Sequence, residues 1–84
     1  MTLDTVKVTG NTYAYRSELK NAGFIYVPRY YDFNKGENVK AFWYKTYENY
    51  TEDEVADRVS YVSRNVLDIA DVTVHVSVFH YEEA

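Results

Sequence analysis

No cysteine occurs in this chain, which excludes a disulfide scaffold, a thiolate zinc site and a thiol nucleophile. Its three glycines, Gly10, Gly23 and Gly36, are far apart, so there is no glycine-rich phosphate loop and no serine elbow. No apolar run approaches the roughly 18 residues of a membrane-crossing helix. Met1-Thr2-Leu3-Asp4 is not a basic segment leading into an apolar one, so a cytoplasmic protein without a membrane partner is expected. At 84 residues the chain is too short for a Rossmann sheet or a TIM barrel. What it does have is apolar residues at 46% and aromatics at 18%, enough for a folded core. Without disulfides, that core is held by packing alone or by a second copy, as in a homodimer.

Periodicity sets out one domain over residues 1–84. Val6 and Val8 flank Lys7 ahead of Gly10-Asn11, the alternation and turn pair of a strand over Leu3 to Thr9. Asn11 or Thr12 offers a capping oxygen, Tyr15, Leu19 and Ala22 recur at helical spacing, and Gly23 supplies a left-handed stop, predicting a helix of about ten residues. Phe24 to Phe33 and Val39 to Tyr47 are aromatic and β-branched, with turn residues from Asn34 to Asn38 between them. They read as a hairpin. Pro28 has no N–H and places its strand at a sheet edge or a bulge.

Thr51-Glu52-Asp53-Glu54 is a capping box, with Tyr50 and Val55 at the spacing of a hydrophobic staple. Val55, Val59, Val62 and Val66 line one face of the helix that follows, which ends near Leu67. Val72, Val74, Val76 and Val78 alternate with Thr73, His75, Ser77 and Phe79, predicting a last strand with a valine row on one face. The order βαββαβ is that of a ferredoxin-like, split βαβ α+β domain: an antiparallel sheet with two helices on one face and the other face open.

Candidate acid–base chemistry is sparse. His75 and His80 lie five apart on one strand and face opposite sides, so that strand cannot pair them on a metal. Glu52, Asp53 and Glu54 are consecutive and point around their helix, which suits capping and solvation better than a divalent ion. No enzyme, cofactor or metal is expected.

Ten residues are Tyr and one is Trp, and they concentrate in the hairpin. Arg29, Tyr30, Tyr31, Lys40, Phe42, Tyr44, Lys45 and Tyr47 form a candidate surface for a protein partner or for stacked bases. Lys40 to Tyr47 matches the RNP1 pattern of RRM sheets at its basic first and aromatic third, fifth and eighth positions. It departs at the second, fourth and sixth, and the first strand has no RNP2 aromatic.

Net charge is −4, and it is unevenly spread. Residues 1 to 47 hold seven Lys or Arg against four Asp or Glu, a balance of +3, whereas residues 48 to 84 hold two against nine, a balance of −7. Glu48, Glu52, Asp53, Glu54 and Asp57, with Asp68, Asp71, Glu82 and Glu83, are therefore a candidate acidic surface able to imitate the phosphates of DNA.

Thr9-Gly10-Asn11-Thr12-Tyr13, Leu19, Lys20 and Gly23 resemble a small module of phage and plasmid proteins. Tyr31-Asp32, Lys40, Phe42 and Tyr44 follow the order of the HARP domain of annealing helicases, with a longer turn and with Ala14 where proline is common. The resemblance covers about half the chain. It implies a unit that contacts DNA or a DNA-handling protein through its hairpin. A small acidic domain of this kind also resembles phage inhibitors of host defence, anti-CRISPR proteins among them. The function expected is a non-enzymatic interaction protein of phage or mobile-element type, acting on a host protein of nucleic-acid metabolism or defence. The alternative is single-stranded or branched nucleic-acid binding by the hairpin aromatics.

Overall fold

Val6 and Val8 are wholly buried, and the sheet is assembled around the strand that carries them. In the computed structural model, which describes residues 1–83, that strand is β1, Thr2–Gly10. It pairs antiparallel along one side with β5, Phe42–Glu48, and along the other with β6, Val74–Glu82. β5 is flanked in turn by β2, Ile25–Val27, giving the four-stranded order β2-β5-β1-β6. Helix α1, Arg16–Asn21, joins β1 to β2, and α2, Glu52–Tyr61, joins β5 to β6. Each helix thus links two strands that have a third between them, the split βαβ order expected. No helix among the described residues is long and apolar enough to cross a membrane.

Both helices pack on the same sheet face. Leu19 of α1, Val62 and Val66 share one buried cluster with Val6, Val8, Trp43 and Tyr47. Residues two apart on a strand share a face, so this is the side of Val6, Val8, Trp43 and Tyr47, and of Val74 and Val76, which pack against the cluster.

The capping box of α2 forms as its sequence dictates. Thr51 Oγ1 accepts from Glu54 N at 3.2 Å, and Glu54 Oε1 accepts from Thr51 N at 3.1 Å. Beyond Tyr61 the helix widens into a π turn, Val62–Val66, closed by Leu67 N donating to Val62 O at 2.9 Å. The wider turn brings Val62, Val66 and the following Leu67 all into the core.

The first helix differs from expectation. A 3-10 turn, Tyr13–Tyr15, precedes six α-helical residues, and neither start has a side-chain cap. The chain leaves Gly10 in a tight turn, with Thr12 N donating to Gly10 O at 3.0 Å, so the Asn11 and Thr12 side chains do not cap. The stop is as expected: Gly23 has φ +91, Gly23 N donates to Lys20 O, and Phe24 N donates to Leu19 O. That is a Schellman ending, with Leu19 and Phe24 both buried.

The hairpin is one long ribbon broken in the middle. β3, Tyr30–Asp32, pairs with β4, Glu37–Val39, as a separate two-stranded sheet. Its register continues that of β2 and β5: three residues outward from Val27↔Phe42 lies Tyr30↔Val39. The break falls at Pro28-Arg29 opposite Lys40-Ala41, because Pro28 has no N–H to donate, and it is tolerated because β2 is an edge strand. Glu37 and Asn38, expected in the turn, belong to β4. The turn is tightened instead by Asp32 Oδ1, which accepts from Asn34 N and Lys35 N at 2.9 and 3.2 Å. Val72, expected in the valine row, lies before β6 and is exposed.

Candidate functional site: the open face of the sheet

The face opposite the helices follows from register. Lys7 on β1 lies across from Tyr44 on β5 and Ser77 on β6. Thr5 lies across from Thr46 and Phe79, and Leu3 across from Glu48 and Tyr81. Ile25 and Val27 extend the face beyond Tyr44 and Phe42. Among the described residues nothing covers it: Ile25, Phe79 and Tyr81 keep 54%, 57% and 58% of their surface exposed.

Lys7 is the centre of this surface. Its Nζ lies 4.2 Å from the Phe42 ring centroid and 5.9 Å from that of Phe79, so one ammonium is shared between two aromatic faces. The Phe42 and Tyr44 rings stand 6.3 Å apart and tilted by 49°. Thr5 and Thr46 join their hydroxyls at 3.1 Å. Among these register positions Glu48 carries the only carboxylate, at the far end of β5. A central cation among aromatic rings can stack planar groups and hold an anion beside them.

The RNP1-like spacing is thereby sorted into two layers. Phe42 and Tyr44, its third and fifth positions, share the open face. Tyr47, its eighth, turns into the core at 6% exposure, its ring 5.0 Å from that of Tyr50, and burial raises its phenol pKa. Lys45 lies on the helix side as well, where Nζ donates to Ala22 O at 2.8 Å and closes the end of α1. Odd positions of β5 point toward the helices, so Lys45 and Tyr47 do not join Phe42 and Tyr44. Arg29, Tyr30, Tyr31 and Lys40 stand exposed on the ribbon and its break, with Tyr31 edge-on to Phe33 at 4.9 Å.

The candidate acids divide: Glu48 ends β5 on the open face, across from Leu3, and so does not join the others, which occupy the other layer. Glu52, Asp53, Glu54 and Asp57 are exposed on α2, and hydrogen bonds with Thr51 hold the Glu54 carboxyl below its usual range. Among the described residues no three metal-ligating side chains gather. Asp71 serves the chain itself: it accepts from the Thr73 hydroxyl at 2.6 Å and from the Tyr15 hydroxyl at 2.8 Å. These bonds lower its pKa, that from Thr73 most, and the bond to Asp71 raises that of Tyr15.

Lys7, Ile25, Phe79 and Tyr81 were not among the candidates that sequence identifies. One signal was available for two of them: a valine row at Val74, Val76 and Val78 forces Phe79 and Tyr81 to the opposite face. No family model, curated protein or solved structure matches the chain.

Proposed function

We propose that this domain is a binding module, not an enzyme, and that it takes single-stranded nucleic acid on the open face of its sheet. The observation that carries this reading is the arrangement of Phe42, Tyr44 and Phe79 around Lys7, with Glu48 the one carboxylate among the register positions named above. Phe79 is exposed and Phe42 and Tyr44 are half-buried, and a ring that stacks a base contributes about 1–3 kcal/mol. Arg29 and Lys40, at the break of the ribbon, lie at the end of β5 next to Phe42 and extend the path for a phosphate backbone.

A second reading is favoured by the separation of charge. The acids of α2 lie on the layer away from the aromatic face, where they present Glu52, Asp53, Glu54 and Asp57 to solvent. In that reading the protein is of phage or mobile-element type. Its acidic layer occupies a basic channel of a host protein of nucleic-acid processing or defence.

Fluorescence anisotropy of labelled single-stranded, duplex and forked DNA separates the two. Direct binding gives saturable titrations with the single strand that weaken between about 50 and about 200 mM salt, as counterions are released. No binding to any DNA rejects the first reading and leaves the acidic layer as the working surface.

A further inference from the structure

On the helix side of the sheet, α1 and the turn before it leave a cleft of about 710 Å³ against β2, within the roughly 300–1,000 Å³ typical of small-ligand sites. Its lining is unlike the rest of this acidic chain, since Arg16 and Lys20 border it and, among the described residues, no carboxylate does. Helical spacing is the cause: α1 turns Arg16, Ser17 and Lys20 to this cleft, buries Leu19, and carries Glu18 to a separate recess on its far side. Among the described residues neither cation has a carboxylate within ion-pair distance.

The cleft is built, not incidental. Arg16 Nη1 donates to Tyr13 O at 2.8 Å, and the guanidinium carbon lies 3.9 Å from the Tyr13 ring centroid. That posture leaves most of the guanidinium donors unspent. The turn carrying Tyr13 is fixed in turn by Gly10, whose φ is +95 and where a Cβ would stand 2.0 Å from Thr73 O. Asn11 N donates to that same oxygen at 3.0 Å. Across the cleft from the cations, Tyr26 and Trp43 are register partners with ring centroids 5.0 Å apart. Ala41 beside them leaves open the space a larger side chain would fill.

The geometry points to a nucleoside phosphate as the ligand of this cleft, its base on the half-exposed Tyr26 ring beside the edge of the largely buried Trp43, and its phosphate between Arg16 and Lys20. Arg offers paired donors to phosphate oxygens, Lys adds a point charge, and the exposed Tyr26 ring takes the planar base. A free mononucleotide and one nucleotide of a single strand present the same chemistry. The inference does not rest on the open-face reading, because Trp43 and Phe42 point to opposite sides of the sheet.

Trp43 is the only tryptophan, so its emission reports this cleft in the intact protein. We would titrate with AMP, adenosine and a short oligothymidylate. Saturable quenching by AMP, with adenosine about tenfold weaker for want of the charge-assisted contact, assigns a free nucleotide. Saturable quenching by the oligothymidylate alone assigns a nucleotide within a strand. In either case Arg16→Ala and Lys20→Glu, both at exposed positions, weaken binding about tenfold or more while circular dichroism is unchanged. The proposal is overturned if neither AMP nor oligothymidylate quenches saturably, if adenosine equals AMP, or if those two variants bind as the parent does. It is overturned too if Phe42→Ala abolishes the quench without altering circular dichroism, since the signal would then arise from the open face.

Discussion

His80 Nδ1 lies 2.6 Å from Asp4 Oδ1, across the paired strands β6 and β1. Asp4 is buried on the helix side of the sheet while His80 is exposed, and Glu82 approaches the other ring nitrogen at 3.7 Å. The hydrogen bond to Asp4, then its charge, raises the His80 pKa above the ordinary value. The unfolded chain has no such partner, so protonated His80 stabilises the fold fully below pH about 6.5, and the increment is lost as pH rises through the raised value. Denaturant midpoints of the parent and His80→Gln are expected to differ most near pH about 5.5 and to converge as pH rises past the raised value. A gap constant across that range would contradict the pairing.

Thr51→Ala removes the acceptor for Glu54 N and is expected to cost about 1 kcal/mol. For a chain of this size that lowers Tm by about 4–8 °C. Thr51→Ser keeps the hydroxyl and should lie close to the parent in the same melt.

Gly10 and Gly36 both have positive φ, +95 and +67, yet they differ in surroundings. A Cβ at Gly10 meets the Thr73 carbonyl at 2.0 Å, whereas at Gly36 its nearest neighbour is the Tyr31 hydroxyl at 3.9 Å. Gly10→Ala must displace backbone and is expected to destabilise well beyond the roughly 1–2 kcal/mol that a left-handed alanine costs by itself. Gly36→Ala should stay within that range. Urea titration of the two variants orders them, and equal losses would show that the Gly10 turn relaxes freely.

Tyr44→Ala and Phe42→Ala are each expected to weaken single-strand binding by about 1–3 kcal/mol. Lys7→Met should also lower the salt slope by about one unit. Asp53→Lys and Asp57→Lys, on the opposite layer, should not weaken the strand in the same anisotropy assay. The reverse pattern, acid variants losing a host protein while Tyr44→Ala keeps it, is what the acidic-layer reading requires.

Much of this fold was legible because its signals are local. The Thr51–Glu54 box, the Val55-Val59-Val62-Val66 face, the Gly23 stop and the edge position of Pro28 each depend on residues within a few positions of one another. The shortened first helix was not legible. Asn11 and Thr12 read as caps, but Asn11 N is engaged with Thr73 O, far along the chain, and no local pattern announces that partner.

The candidate surfaces divide in the same way. Alternation in the sequence separated Phe42 and Tyr44 from Trp43 and Tyr47, because side chains on a strand alternate whatever surrounds it. It could not say which set the helices cover. Placing β1 between β5 and β6, with Lys7 over Phe42 and near Phe79, and bringing Arg16 and Lys20 opposite Tyr26 and Trp43, are decisions of tertiary structure. They join segments tens of residues apart, through sheet register and helix packing that only the folded chain establishes.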